Sequence, residues 1–319
     1  MATSEQLKSL IKAHIDCEDE NFKTVVLQIV AYEAKLGHTV LAREIKTLLD
    51  KFSFNNKILQ LTNQNPMLEL RKSDIRFNEL IVSEEVHKRI YRILEEFFNS
   101  KKLHDYGLKN RRKILLEGAP GTGKTMTAFV IAHELHLPLF VVQMDRLVTK
   151  FLGETSAKLR EVFDSINSLT AVYLFDEFDA IGSNRGMDNE VGEIRRVLNS
   201  FLQFLEQDRS NSIIIAATNN KRVLDQALFR RFDDVLHYSL PSANDAEKLL
   251  TMKLVFFAKD FVPSKALIER AIKLSHAEIV NICDDAIKRL ILEEHEITEE
   301  ELVALVDERL YIYSAQEAY

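Results

Sequence analysis

Apolar residues recur along this chain in two rhythms, and the change between them divides it. Up to about residue 52 the spacing is helical. Leu7, Leu10, Ile11 and Ile15 form one set, Phe22, Val25, Val26, Ile29 and Val30 a second, and Leu41, Ile45, Leu48 and Leu49 a third. Gly37-His38 stops the second helix. A unit of this size has a small core and leans on the rest of the protein or on a partner. The stretch that follows is rich in Asn, holds Pro66 and reads as a linker. The expected boundaries are a helical N-terminal domain over 1–55 and a linker over 56–73.

From residue 74 the rhythm changes to short apolar runs alternating with amphipathic helices. The runs are KILLEG (113–118), LPLFVVQM (137–144), TAVYLFD (170–176), NSIIIAATN (211–219) and DDVLHYSLP (233–241). Five such runs bordered by helices predict a parallel five-stranded sheet flanked by helices over 74–241. Residues 242–319 carry about four helical patterns and no convincing strand, which predicts a helical lid. Thr298 is placed to cap the last helix.

Charge and cysteine content narrow the setting without naming a function. The 42 Lys and Arg against 49 Asp and Glu leave a formal charge of −7, which argues against a general nucleic-acid binder. Two cysteines, Cys17 and Cys283, stand far apart with no partner spacing, as suits a reducing cytoplasm. The start of the chain has no signal-peptide core, and no run reaches the ~20 apolar residues of a membrane span. The expectation is a cytoplasmic protein that makes no use of a membrane.

Residues 118–125, GAPGTGKT, fit the loop pattern G-x-x-x-x-G-K-[ST] between a predicted strand and a predicted helix. Gly118, Gly121 and Gly123 let the backbone approach a phosphate, and the helix opening at Lys124, Thr125 and Met126 offers its N-terminus to an anion. Pro120 and Thr122 complete the loop. Lys124 supplies charge to the terminal phosphates, and the Thr125 hydroxyl is placed to ligate Mg²⁺. Asp176 and Glu177 emerge where a buried strand ends. One carboxylate can hold Mg²⁺ while the next activates a water. Asp179 reads as structural. Together the two motifs imply ATP hydrolysis.

These residues resemble the AAA family of ring-forming ATPases over roughly 74–295. The resemblance implies the family's P-loop NTPase fold, an α/β domain with a C-terminal helical lid, here preceded by a small all-α N-terminal domain. SIIIAATNN (212–220) matches the family's sensor strand and places Asn219 by the terminal phosphate. LDQALFRRFDD (224–234) resembles the segment carrying arginine fingers, which implies Arg230 and Arg231 acting on a neighbour's site. Which of the two acts stays open, because the Pro-Gly often found between them is missing. Fingers acting in trans imply a head-to-tail homo-oligomeric ring, for which six subunits is usual, a hexamer. LVTKFLGETSAKLREVFD (147–164) resembles the first pore loop, so Phe151, Leu152 and Gly153 would project into a channel and grip a polypeptide. Residues 184–206 would supply a second loop and its helix. In the lid, Ser275-His276-Ala277-Glu278 corresponds to the second sensor, with His276 and Ala277 near the adenine or ribose. FNELIVSEE (77–85) aligns with the adenine-reading segment, and Ile81 and Val82 replace its usual glycines.

The resemblance favours a motor that remodels or threads a protein substrate, with Mg²⁺-ATP as fuel. Two other readings stay open: a nucleotide-dependent switch or scaffold, and a nucleic-acid motor or loader of the same fold. The acidic balance, the aromatic pore loop and the missing sensor arginine stand against the nucleic-acid reading. No protease motif is visible in the chain. The segment QIVAYEAKLGHTVLAREIKTLL (28–49) looks like bacterial AAA proteins encoded beside a subtilisin-like serine protease, in two-gene modules linked to plasmid incompatibility and phage defence. That likeness implies a separate subtilisin-like partner.

Overall fold

The computed structural model describes residues 4–16, 18–147, 152–179, 190–219, 229–258, 261–293 and 296–316. Two compact units divide the chain, Met1–Gln64 and Asn65–Tyr319. In the first, helices α1 (Ser4–Ile15), α2 (Asp19–Lys35) and α3 (Thr39–Gln64) pack on Ala13, Val25, Val26, Ile29, Ala42 and Leu49. Gly37 takes a φ of +82° between α2 and α3, a conformation that costs glycine little. Of the expected apolar sets, the second gives Val25, Val26 and Ile29 to this core and the third gives Leu49. Leu7, Ile11 and Ile15 on α1, and Leu41 and Leu48 on α3, are instead exposed.

The expected linker over 56–73 is a correction. Residues 56–64 continue α3, and Leu68–Arg71 form strand β1. Apolar residues at 58, 59 and 61 keep the helical spacing through the Asn-rich composition. Beyond it, Asn65 accepts the Met67 N–H through Oδ1 (3.1 Å) and donates from Nδ2 to Ser165 Oγ (3.1 Å), while Met67 and Leu68 are buried. The alternation Leu68-Glu69-Leu70-Arg71 then suits an edge strand, with one face turned in and the other out.

In the second unit, β2 (Lys113–Gly118), β3 (Leu139–Val142), β4 (Val172–Phe175), β5 (Ile213–Thr218) and β6 (Asp234–Tyr238) join β1 in a six-stranded sheet of order β1-β3-β4-β5-β2-β6. Those five strands are parallel, as expected from the apolar runs. The sixth, β1, is antiparallel to β3. Ile114, Leu115 and Leu116 of β2 and Ile213, Ile214 and Ile215 of β5 are wholly buried, the pattern of strands covered on both faces. The helices α4 (Glu84–Phe98), α5 (Ser100–Asp105), α6 (Lys124–Glu134), α7 (Met144–Leu147), α8 (Leu152–Ser168) and α9 (Glu190–Gln207) belong to this domain.

Pro241 and Ser242 lead out of the sheet into the lid. Its helices are α10 (Ala243–Leu254), α11 (Lys265–Ala271), α12 (His276–Glu293) and α13 (Glu299–Gln316). The first and last of these start where side chains satisfy free N–H groups. Ser242 and Asp245 form a reciprocal capping box, and Thr298 Oγ1 accepts from Glu301 N at 3.3 Å. Leu249, Leu250, Leu267, Ile279, Ile282, Cys283 and Leu302 form a separate lid core. Burial pushes the Cys283 thiol up to about 12, so it stays protonated and packs as an apolar atom. Among the described residues no helix is long and apolar enough to cross a membrane.

The start of β2, from which the glycine loop hangs, is pinned by charge. Asp208, directly after α9 and fully buried, binds the Arg112 guanidinium, and Arg112 Nη2 also donates to the Asp208 carbonyl at 2.8 Å. Asp233 Oδ2 accepts both the Arg112 and Lys113 N–H groups at 3.0 and 2.9 Å. Breaking a buried pair by removing one partner leaves the other charge uncompensated. Asp208→Ala is therefore expected to lose about 3 kcal/mol of unfolding free energy. A urea titration checks this; a loss below about 1 kcal/mol, the size of a surface pair, would remove the anchoring role.

Candidate functional site

Gly118 ends β2 where nothing but glycine fits. A Cβ there would lie 2.2 Å from the Tyr238 carbonyl oxygen of β6. Gly121 and Gly123 follow at φ of +72° and +101°, and the latter is the residue before α6. The chain therefore turns from a buried strand into a helix N-terminus within a few residues, and that end attracts anions. Thr122 is buried, and its hydroxyl donates to the Ala119 carbonyl at 2.7 Å, closing the loop on itself.

Lys124 is only 6% exposed, and its Nζ donates to the Gly118 and Ala119 carbonyls at 2.8 and 2.7 Å. Burial lowers its pKa, and the carboxylates of Asp176 and Asp179 oppose that shift. Thr125 Oγ1 donates to Asp176 Oδ2 at 2.7 Å, so a hydroxyl and a carboxylate from opposite sides of the loop meet. Two oxygens at that separation, with one negative charge, fit a hydrated divalent ion, which takes few protein ligands and keeps waters or phosphate oxygens in its other positions. Asp176 Oδ1 accepts the Glu177 N–H at 2.9 Å. Glu177 itself sits at φ +49°, a left-handed conformation that costs a residue with a side chain and that clusters at functional positions.

Asn219 stands exposed where β5 ends. Its N–H donates to Asp179 Oδ1 at 3.3 Å, and so does the buried Thr218 hydroxyl, also at 3.3 Å. Asp179 thus fixes the end of β5, a job in keeping with its expected structural role.

A cavity of about 520 Å³ gathers most of the expected residues: Ile81, Pro120, Gly121, Gly123, Lys124, Thr125, Met126, Asp176, Glu177, Asn219, His276 and Ala277. Val82 is turned away into the core beside Gly123, and Thr122 faces the small cleft behind the loop. The lid closes directly on the loop. The Ala277 N–H donates to the Gly121 carbonyl at 2.9 Å, and a Cβ on Gly121 would lie 2.6 Å from Ser275 Oγ. The lid wall also holds Leu249, Met252, Lys253, Val280 and Asn281, none of them named from sequence, and the cavity is lined as well by Glu79 and Leu80 of the expected 77–85 segment. Helical spacing marked α10 and α12 as lid helices, but spacing alone does not say which flank meets the cavity.

The other expectations fall elsewhere. Phe151 and the second pore loop (184–189) lie outside the described residues, and Leu152 and Gly153 open α8. Arg230 and Arg231 are exposed, and neither lines the cavity of its own chain. Arg231 pairs with Glu206 of α9.

Comparison with known proteins places this chain in a family. Residues 114–240 match the family described as "ATPase family associated with various cellular activities (AAA)". A protein of Sinorhizobium fredii named as an uncharacterized AAA family ATPase, y4kL, is 34% identical over 94% of this chain and 93% of its own length. A putative 26S proteasome regulatory subunit homolog of Methanocaldococcus jannaschii is 30% identical over 76% of this chain and 66% of its own. The ATP-dependent zinc metalloprotease FtsH of Lactococcus lactis is 35% identical over 56% of this chain, which spans only 27% of that protein. Among solved structures, the FIGL-1 AAA domain superposes with a TM-score of 0.59 at 21% identity, covering 82% of this chain and 94% of that one. The chain belongs to the AAA family of ATPases and carries its P-loop fold. It is an ATP-hydrolysing enzyme.

His276 supplies a test of the cavity's lid wall. It is 8% exposed, and neither ring nitrogen has a hydrogen-bond partner among the described residues. Burial lowers its pKa, with Asp245 pulling weakly the other way. The folded state thus takes up its proton less readily than the unfolded chain. Stability from keeping His276 neutral is present above the unfolded pKa of about 6.5 and is lost as pH falls through it. His276→Leu should lose less unfolding free energy than the parent between about pH 7.5 and pH 5.5. Equal losses in parallel urea titrations would mean that His276 titrates normally.

Proposed function

We propose that the chain is an ATP-driven ring motor that remodels or threads polypeptides for a separate partner protein. The observation that carries this reading is a convergence at one end of one cavity. Lys124, the Thr125–Asp176 pair, Glu177 and Asn219 meet there, beneath a lid that touches the loop. The family's members generally act on proteins as oligomeric rings. Two relatives point the same way by name, a proteasome regulatory subunit homolog and an ATP-dependent protease. A subtilisin-like protease is the partner this reading expects, and Phe151 with Leu152 and Gly153 forms the grip on substrate.

In this reading the glycine loop and Lys124 hold the phosphates of ATP, and Ile81, His276 and Ala277 border the base and ribose. Thr125 and Asp176 would hold Mg²⁺, which when bound offsets charge on the phosphates. Glu177 accepts the proton of the attacking water, and Asn219 orients that water with an uncharged amide. Glu177 takes its left-handed backbone just past the strand end and lines the cavity. Arg230 or Arg231, free of its own cavity, reaches the site of the next subunit, where such a finger contributes ~10³–10⁵ in rate.

Glu177→Gln is expected to bind ATP as the parent does and to hydrolyse it at least about 100-fold more slowly, whereas Lys124→Ala loses binding. Steady-state turnover with a fluorescent-nucleotide titration separates the two, and ordinary turnover by Glu177→Gln would rule that residue out as the base. For the ring, an Arg230→Ala/Arg231→Ala double variant and Lys124→Ala, each inactive alone, should regain hydrolysis when mixed. Co-assembly without regained hydrolysis would place the arginines outside the neighbour's site.

A further inference from the structure

One polar row crosses the carboxyl end of the sheet directly below the phosphate loop, and the reading above leaves it unused. β2 is apolar through Ile114, Leu115 and Leu116, then places a carboxylate, Glu117, one residue before the loop. Glu117 is only 2% exposed. Its register partners are Thr218 on β5 and His237 on β6, so the three side chains stand abreast on adjacent parallel strands. His237 Nδ1 lies 3.0 Å from Glu117 Oε2, a contact that becomes an ion pair when the imidazole is protonated, and the histidine side chain is 57% exposed. On the other flank, the Thr218 hydroxyl donates to Asp179 Oδ1, the same oxygen that receives the Asn219 N–H.

An apolar side chain would fill the Glu117 position without the desolvation that a buried carboxylate costs. What the carboxylate adds is direction and charge between two strands with different destinations. β5 ends in Asn219. β6 ends at Tyr238, whose carbonyl presses on Gly118 and whose hydroxyl bonds Thr127 Oγ1 at 2.6 Å, and it continues through residues 239–242 into the lid.

We propose that Glu117, paired with His237, is a positioning residue for ATP hydrolysis, tying the strand that leads into the lid to the strand end that carries Asn219. The proposal rests on the reading of Asn219 as the residue that orients the attacking water. Neither Glu117 nor His237 touches the nucleotide in this account; both act through the placement of Asn219. Their loss therefore slows the chemical step and leaves nucleotide affinity in place.

The test measures kcat and KM for ATP, fluorescent-nucleotide affinity and the melting midpoint of the full chain. Glu117→Gln and His237→Gln are expected to lower kcat ~10-fold while KM and nucleotide affinity stay within about twofold of the parent. His237→Lys, which places a cation facing Glu117, should return kcat to within about threefold. His237 is exposed, so its variants fold even if Glu117→Gln does not. Unchanged kcat in both His237 variants would overturn the proposal. So would a matched loss of kcat, affinity and melting midpoint, the mark of a purely structural pair. Glu177→Gln, assayed alongside, separates this failure from that of the wider reading: if it is inactive while His237→Gln turns over as the parent does, only the positioning role falls.

Discussion

A loop that binds phosphate must leave N–H groups pointing at an empty space, and the surrounding protein has to hold it open against the pull to satisfy them locally. In this chain the restraint comes from steric closeness on two sides. Gly118 lies against the Tyr238 carbonyl with no room for a Cβ, and a Cβ on Gly121 would likewise crowd Ser275 of the lid. Between them, Lys124 is buried and donates to two carbonyls of the loop itself. The loop is thus wedged between the edge strand and the lid while its lysine ties its own backbone. Everything else at the site, from the Thr125–Asp176 pair to the turn at Glu177, is placed by the strands that flank this wedge.

Much of this was legible in the sequence, for a physical reason. A parallel strand buried on both faces must be apolar throughout, so the five runs marked themselves and their ends marked the site. Glycines needed at positive φ, a lysine and a hydroxyl at fixed spacing, and two acids at a strand end are chemical requirements that leave little freedom. The edge strand β1 was missed because four residues with one apolar face carry little signal beside Asn and Pro. The N-terminal helices misled in another way. Helical spacing at Leu7, Ile11 and Ile15 signals an amphipathic face, but not whether that face meets the unit's own core, and here it does not. The lid wall of the cavity was hidden for a similar reason. Leu249, Met252 and Lys253 lie on a helix that also feeds the lid core, and only its packing decides which flank faces the nucleotide end.

The relatives sharpen where this chain's individuality lies. Its overlap with the far longer FtsH takes in 56% of this chain and 27% of that protein, whereas y4kL matches it nearly end to end. The family supplies the ATPase fold and ATP hydrolysis.

The junction of Gly121 with Ser275 and Ala277 has an evolutionary consequence. Positions more than one hundred and fifty residues apart share one small volume. A larger side chain at 275 or 277 would push the loop, and any side chain at 121 would push the lid. The lid can vary freely along its outer helices, but at this one point its history is bound to that of the loop. Among related sequences, residues 275 and 277 should stay small wherever a glycine stands at 121, and drift only where the lid has taken another seat.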